Sequence, residues 1–242
     1  MKIDVDAERE FHNRRFAEDS SREAQCKYYW AIESGAGRYW SLVTKYAPNA
    51  DVLDYGCGNG EQTRKLAPVA RSIHSIDISD VAIARATQQD NAHNVQFHVM
   101  DGSRMSFANG QFDVVFGSGI IHHLDTELCM QEIARVLKPS GHAIFWEPLG
   151  SNPIINLYRY FTPNDRTKDE HPLLDTDFDI MRRFFRELHI ERYGFTSLAA
   201  VGFRNSTMGG YLRDALARVD RRLFALSGLR NLAWYSVLKL AK

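Results

Sequence analysis

The 242-residue sequence holds only three cysteines, Cys26, Cys57 and Cys129, and no two of them share a C-x-x-C spacing. A disulfide framework or a zinc site is therefore not expected, and a reducing compartment fits. Surplus charge is also missing: 30 Lys and Arg balance 30 Asp and Glu. A chain dedicated to nucleic acid carries a basic excess, so no nucleic-acid partner is expected. No run approaches the roughly 18 apolar residues of a membrane span. The opening MKIDVDAERE lacks the apolar core of a signal peptide, and a cytoplasmic location is the expectation. Repeats and low-complexity tracts are absent. What remains is ordinary globular composition, 44% hydrophobic and 25% charged. A chain of this size buries enough surface to fold without a metal or disulfide staple.

Two rhythms divide the sequence. Residues 4–25 are polar, with scattered Phe11, Phe16 and Ala24, and read as a helix or a mobile arm. Residues 26–47 carry Tyr28, Tyr29, Trp30, Tyr39 and Trp40 and read as a helix packed on the core; Tyr28, Tyr29 and Trp30 are candidates for a substrate-stacking wall. Residues 1–49 are thus expected to form an N-terminal helical cap, and 50–242 the main domain. From residue 51, short β-branched runs alternate with amphipathic stretches. Strands are expected at Asp51–Tyr55, Ser72–Ile78, Val95–Met100, Phe112–Phe116 and His142–Trp146. Helices are expected at Glu61–Ala67, Asp80–Gln89 and Thr126–Leu137, the last stopped by Pro139, Ser140 and Gly141. This alternation predicts an α/β fold: a doubly wound, mostly parallel sheet with helices on both faces. Residues 149–175 break the rhythm with Pro153, Pro163 and Pro172 and are expected to form an irregular lid insertion. A helix (Asp177–Leu188), a strand region (Ile190–Val201), a helix (Tyr211–Leu226) and a strand (Trp234–Leu240) follow, for about seven strands closed by an antiparallel pair.

The segment DVLDYGCGNG carries the most chemistry. A buried strand ends at Asp54, and Gly56, Gly58 and Gly60 follow before a helix opens near Glu61. Alternate glycines allow a tight turn and close approach of backbone to a ligand, and the helix start offers free N–H groups. The dinucleotide pattern G-x-G-x-x-G fails in both registers, meeting Glu61 or Thr63 where its third glycine belongs. The pattern present, D-x-G-x-G-x-G, suits a ligand with an ammonium and a carboxylate.

Here the chain resembles the class I, seven-strand S-adenosylmethionine-dependent methyltransferases, over about residues 50–148. DYGCGNG is similar to that family's first motif, placing Asp54, Gly56, Cys57, Gly58 and Gly60 against the cofactor. SIDIS places Asp77, with Ile78, at the end of the second strand, where the family binds ribose. Asp77 lies 21 residues past Gly56, near the ~20 of a ribose-binding acid in a βαβ unit. VMDGSRMSF places Asp101 and Gly102 near the adenine, and FDVVFGSGIIHHL, with Ser118, near the methionine part. RVLKPSGHAIFWEP resembles the sixth motif. The resemblance implies S-adenosylmethionine as cofactor.

Transfer from a sulfonium requires positioning, and a base only where the acceptor is protonated. His122, His123, Glu147 and His171 are the candidate bases. The two adjacent histidines, on an extended segment, should point to opposite sides. Asp125 is expected to cap the next helix. Tyr158 and Arg166 in the insertion are candidate substrate contacts. No metal-ligand cluster is visible, so none is expected. The expected activity is methyl transfer to a small-molecule acceptor, O-methylation ahead of N-methylation, in secondary-metabolite or cell-surface glycan or glycolipid chemistry. Alternatives are RNA or protein methylation, disfavoured by the neutral charge, and a cofactor-binding regulator without turnover. The sequence fixes no oligomeric state.

Overall fold

The computed structural model describes residues 4–18, 23–162 and 170–242. Seven strands form one sheet: β1 (Asp51–Tyr55), β2 (Ser72–Asp77), β3 (Val95–Val99), β4 (Phe112–Ser118), β5 (Leu137–Pro148), β6 (Glu187–Tyr193) and β7 (Tyr235–Ala241). Their order is β3-β2-β1-β4-β5-β7-β6. The first five are parallel, and β7 runs antiparallel between β5 and β6. The expected doubly wound sheet with an antiparallel pair is therefore present.

Side-chain alternation along the strands builds two cores, one per face. Val52, Val114, Ile144 and Val237 meet Tyr39, Leu42 and Val43 of α3 (Glu33–Tyr46). Leu53, Val115, Phe145 and Leu238 meet the other face, covered by α6 (Thr126–Val136) and α8 (Asp175–Phe184). In α6, Cys129, Met130, Ile133 and Val136 form the buried stripe, and Asp125 caps it by accepting from Glu127 and Leu128 N–H. The short α4 (Glu61–Leu66) and α5 (Asp80–Gln89) complete the crossovers between β1, β2 and β3.

Several boundaries differ from expectation, each for a visible reason. Residues 26–47 hold two helices, α2 (Glu23–Ala31) and α3, with a break at Ile32. Strand β5 begins at Leu137, because Leu137 pairs with Phe112 and the chain bulges before His142 pairs with Val114; Pro139–Gly141 is that bulge, not a separate turn. The expected strand over Ile190–Val201 ends at Tyr193. Beyond it Asp220 of α9 (Gly209–Leu223) accepts from the N–H groups of Phe195, Thr196 and Ser197, drawing the chain off the sheet into a 3-10 segment, Thr196–Phe203.

The insertion is not wholly irregular. Asn152 accepts from Ile154 and Ile155 N–H and caps α7 (Pro153–Phe161), with Pro153 at its first turn. Both ends of the insertion are pinned where they leave the sheet, Gly150 N–H to Leu173 O and Leu173 N–H to Pro148 O. Among the described residues no helix is long and apolar enough to cross a membrane.

The N-terminal α1 (Val5–Ala17) has one fully buried residue, and it is charged: Glu8. Polar contacts dock this helix. Asn13 donates to Asp80 Oδ1 and accepts from Ser79 Oγ, both at 2.6 Å, at the start of α5.

Candidate active site

The carboxyl ends of β1, β2, β3 and β4 frame a cleft, as they should where strand order reverses between β1 and β4. Strand β1 delivers Asp54 and Tyr55, and the glycine loop then folds back on β2. Gly56 and Cys57 both donate to Ile76 O at 2.9 Å. Gly56 has φ +80°, and a Cβ there would meet Ile120 at 2.7 Å, so the position requires glycine. At Gly102 a Cβ would strike the Tyr55 hydroxyl. Asp77, ending β2, accepts from Gly58 N–H through Oδ2 and from Ser79 N–H through Oδ1, each at 2.9 Å. Its carboxylate is thus fixed by two backbone donors on the wall common to two adjoining cavities of about 500 and 330 Å³.

The larger cavity is lined by Tyr55, Gly56, Asp77, Ile78, Met100, Asp101, Gly102 and Ser103 from the sheet. The smaller takes Asp54, Gly56, Cys57, Gly58 and Ser118, with Asp77 and Ile78 again. Every cofactor candidate from the sequence except Gly60 lines one or both. Gly60, with φ +74°, instead begins α4. Asp54 is buried, and burial lifts its carboxyl to about 7, against the pull of the Thr63 hydroxyl at 2.6 Å. Burial also pushes the Cys57 thiol far up, so it supplies no thiolate.

The opposite wall comes from α1 and from the 3-10 turn Ile121–His123 after β4. Glu8, His12 and Val5 of α1 line the larger cavity, with His123, Ile120 and Leu124. Arg15 and Phe16 line the smaller. The helix therefore caps the cleft, and among the described residues neither the aromatic segment nor the insertion lines it. Glu8 Oε2 lies 3.3 Å from His123 Nδ1 and 3.5 Å from His12 Nε2.

The candidate bases separate. Glu147 is fully buried; Oε1 accepts from Ile120 and Ile121 N–H, and Oε2 lies 2.8 Å from His122 Nδ1. Burial lifts the Glu147 carboxyl to about 7, opposed by those N–H groups. Glu147 and His122 hold the turn from inside and do not line the cavity; His123 does. The two histidines do not diverge as an extended segment would make them. They sit in a 3-10 turn, with ring centroids 4.2 Å apart. His171 donates its backbone N–H to His122 O and lies off the cavity wall.

The aromatic wall is not at the cleft. Tyr29 stacks on Trp234, and Tyr28 meets the same ring edge-on. Trp30 lies under the Arg213 guanidinium. Tyr28 and Tyr29 pack α2 against the start of β7, and Trp30 packs it against α9. Arg166 and the Tyr158 side chain lie outside the described residues. From the insertion it is Glu170 that approaches the site: paired with Arg159 at 3.1 Å, it lies within 4.8 Å of His122 and His123 nitrogens. The sequence reading singled out Glu170 in the insertion as able to reach the substrate, but missed Glu8 and His12. The one signal was the Glu8–His12 spacing, i to i+4 on a helix.

A family model described as a methyltransferase domain matches residues 53–145. Residues 53–145 are a class I methyltransferase domain. A 2-methyl-6-phytyl-1,4-hydroquinone methyltransferase from Synechocystis sp. is 34% identical over 105 residues, covering 42% of this chain and 33% of that protein. Across eight curated relatives the chain spans 20–65% of their length. The fold is shared with an S-adenosylmethionine-dependent methyltransferase from Mesorhizobium loti, at TM-score 0.61 and 16% identity over 84% of this chain and 97% of that one. It is shared also with a Haemonchus contortus phosphoethanolamine N-methyltransferase in complex with S-adenosyl-L-methionine, at TM-score 0.62 and 18% identity over 100% of this chain and 60% of that one. S-adenosylmethionine is the cofactor of the methyltransferase domain, and the residues present fit it. The glycine loop lines both cavities at Gly56, a fixed acid stands at the end of β2, and a buried acid adjoins the smaller cavity.

Proposed function

We propose that this chain transfers a methyl group from S-adenosylmethionine to a small-molecule acceptor, and that O-methylation is its chemistry. The observation that carries the reading is the shared wall: Asp77, fixed by Gly58 and Ser79 N–H, stands between two cavities that α1 closes on the far side. Asp77 would hold the ribose hydroxyls, Asp54 the ammonium, and the apolar strip of Ile78 and Met100, with Asp101, the adenine. The chemistry the cofactor supplies when bound is an activated methyl on a sulfonium sulfur. Excluding water and aligning the acceptor then fall to the chain itself. The acceptor's reactive atom would be received by the polar group on the cavity wall, Glu8, His12 and His123, which can take up or offset a hydroxyl proton. Around it Val5, Leu124 and Leu128 make an apolar surface. A compact hydroxylated acceptor on an apolar frame, of secondary-metabolite or glycolipid kind, suits that surface. The phytyl hydroquinone in one relative's name is likewise a hydroxylated ring on an apolar frame.

The cap proposed for residues 1–49 thereby divides. Helix α1 covers the cleft, while α2 and α3 pack on the sheet. The insertion at 149–175 is proposed to act at the rim, through Glu170 and Arg159. The test is S-adenosylhomocysteine release from a panel of phenols, hydroxy acids and amines, alongside calorimetry with S-adenosylhomocysteine. Saturable binding with turnover on a hydroxylated acceptor supports the reading. Binding with no turnover on any acceptor would leave a cofactor-binding regulator, and absence of binding would overturn it.

A further inference from the structure

We propose that Glu8, His12 and His123 bind a divalent transition-metal ion of the zinc type at the acceptor end of the cleft, with an open coordination position facing the cavity. The proposal deepens the methyl-transfer reading and rests on it only for what the open position would hold.

Burial poses the first question. The Glu8 and His123 side chains are 6% and 4% exposed, and His12 is 15% exposed. Here Glu8 is the one buried residue of a helix with almost no apolar face, and it is set between two imidazoles. His123 Nδ1 is buried and makes no hydrogen bond; it lies 3.3 Å from Glu8 Oε2. So placed, the Nδ1 lone pair can ligate an ion.

The geometry matches an ion. One donor atom from each of Glu8, His12 and His123 lies within 4.8 Å of the others. Two of the separations are 3.3 and 3.5 Å. Tetrahedral ligands about 2.0–2.1 Å from a zinc ion stand roughly 3.3–3.4 Å apart. The i to i+4 spacing on α1 puts Glu8 and His12 on one helix face, and the 3-10 turn brings His123 to them. That turn is itself held by Glu147, through Ile120 and Ile121 N–H, which keeps the third donor in place. Two imidazoles and one carboxylate are a known catalytic zinc set, which leaves a fourth position for water or substrate. All three residues line the 500 Å³ cavity, so that position opens on the acceptor. It suits an oxygen donor, a phenol, enol or hydroxy acid, whose ionised form the cation would favour.

The experiment uses the untagged whole chain, stripped with EDTA and titrated with Co²⁺, read by the visible d–d absorption, with Zn²⁺ as competitor. S-adenosylhomocysteine calorimetry on the same samples reports the cofactor half independently. One saturable Co²⁺ equivalent, displaced by Zn²⁺ and weakened at least ~10-fold in both Glu8→Gln and His12→Asn, is expected, since each loses a charge-assisted contact. Wild-type protein that binds S-adenosylhomocysteine but shows no saturable Co²⁺ band would overturn the proposal and leave the cluster a metal-free proton relay. An unchanged band in both variants would overturn it equally, by placing the ion elsewhere. Metal bound without S-adenosylhomocysteine binding would sink the methyl-transfer reading and spare the site. If one variant does not fold, the other still locates the ion, and the wild-type titration stands by itself.

Discussion

The two walls of the cleft are built in opposite ways. The sheet wall is assembled from loops at successive strand ends, each donor a few residues from a regular element, and fixed largely by backbone hydrogen bonds, as at Gly56, Cys57, Gly58 and Ser79. The cap wall joins α1 to a 3-10 turn more than a hundred residues away and is held by side chains, Glu8 to His123 and Asn13 to Asp80 and Ser79. The sheet wall thus depends on local backbone form, with glycine required at Gly56 and one acid, Asp77, held by neighbouring N–H groups, whereas the cap wall depends on side chains far apart in sequence meeting each other. On the proposed function the first wall grips a common cofactor, and the second receives the acceptor.

The largest effect should come from the cap wall. His123→Ala should lower kcat by about 10²–10⁴, the usual contribution of a positioned group that takes the acceptor's proton or holds the ion that favours its ionised form, while S-adenosylhomocysteine affinity stays within a few-fold. Steady-state kinetics and calorimetry on one preparation would separate the two. Equal loss of turnover and cofactor affinity would break the division between the walls.

The next effect tests the sheet wall. Hydrogen bonds to a charged acceptor contribute roughly 1.5–3 kcal/mol each. Asp77→Ala should therefore weaken S-adenosylhomocysteine binding at least ~10-fold, since ~1.4 kcal/mol is tenfold. Calorimetry on the folded variant decides, and unchanged affinity would remove Asp77 from the ribose site.

How far each wall was legible follows from its construction. D-x-G-x-G-x-G, Asp77 and Asp101–Gly102 sit at strand ends, where β-branched runs mark the strands and the acid or glycine follows at once. The doubly wound, mostly parallel sheet was legible for the same reason: short apolar runs such as Val52–Leu53 and Val114–Val115 alternate with amphipathic helical stretches. The cap was not. Periodicity detects apolar stripes, and α1 buries a glutamate and docks through asparagine, so its pattern reads as solvated. Conversely Tyr28, Tyr29 and Trp30 looked like a binding wall because aromatic content does not say which neighbour it meets; their neighbours are Trp234 and Arg213. Glu147 looked like a rim acid because the expected fifth strand ended at Trp146, yet it lies within β5 and is fully buried beneath the turn.

A smaller, pH-dependent effect comes from Asp54. Burial places its carboxyl at about 7, and only the ionised form pairs with the ligand's ammonium. S-adenosylhomocysteine affinity should thus rise as pH climbs toward 7, by at most ~10-fold per pH unit, and level off above it. Stability of the free chain should run the other way. The unfolded carboxyl ionises near its ordinary value of 3.8, so the folded state loses stability from about pH 4 to about pH 7 and none beyond. Asp54→Asn should flatten both dependences. A wild-type affinity independent of pH between 5.5 and 8 would separate Asp54 from the ammonium.

The smallest catalytic effect is expected at the aromatic cluster. Tyr29 stacks on Trp234 with centroids 5.5 Å apart and meets Tyr235 edge-on. It is partly buried, so Tyr29→Ala should cost about 2 kcal/mol, less than the 3–5 kcal/mol of a fully buried aromatic. For a chain of this length that lowers Tm by about 4–8 °C. Because none of these rings lines either cavity, kcat and KM at 20 °C should stay within about two-fold of wild type. A thermal melt and a steady-state assay check both halves. A KM raised ~10-fold or more with Tm unchanged would return Tyr29 to the acceptor wall, and the cap would then extend from α1 onto α2.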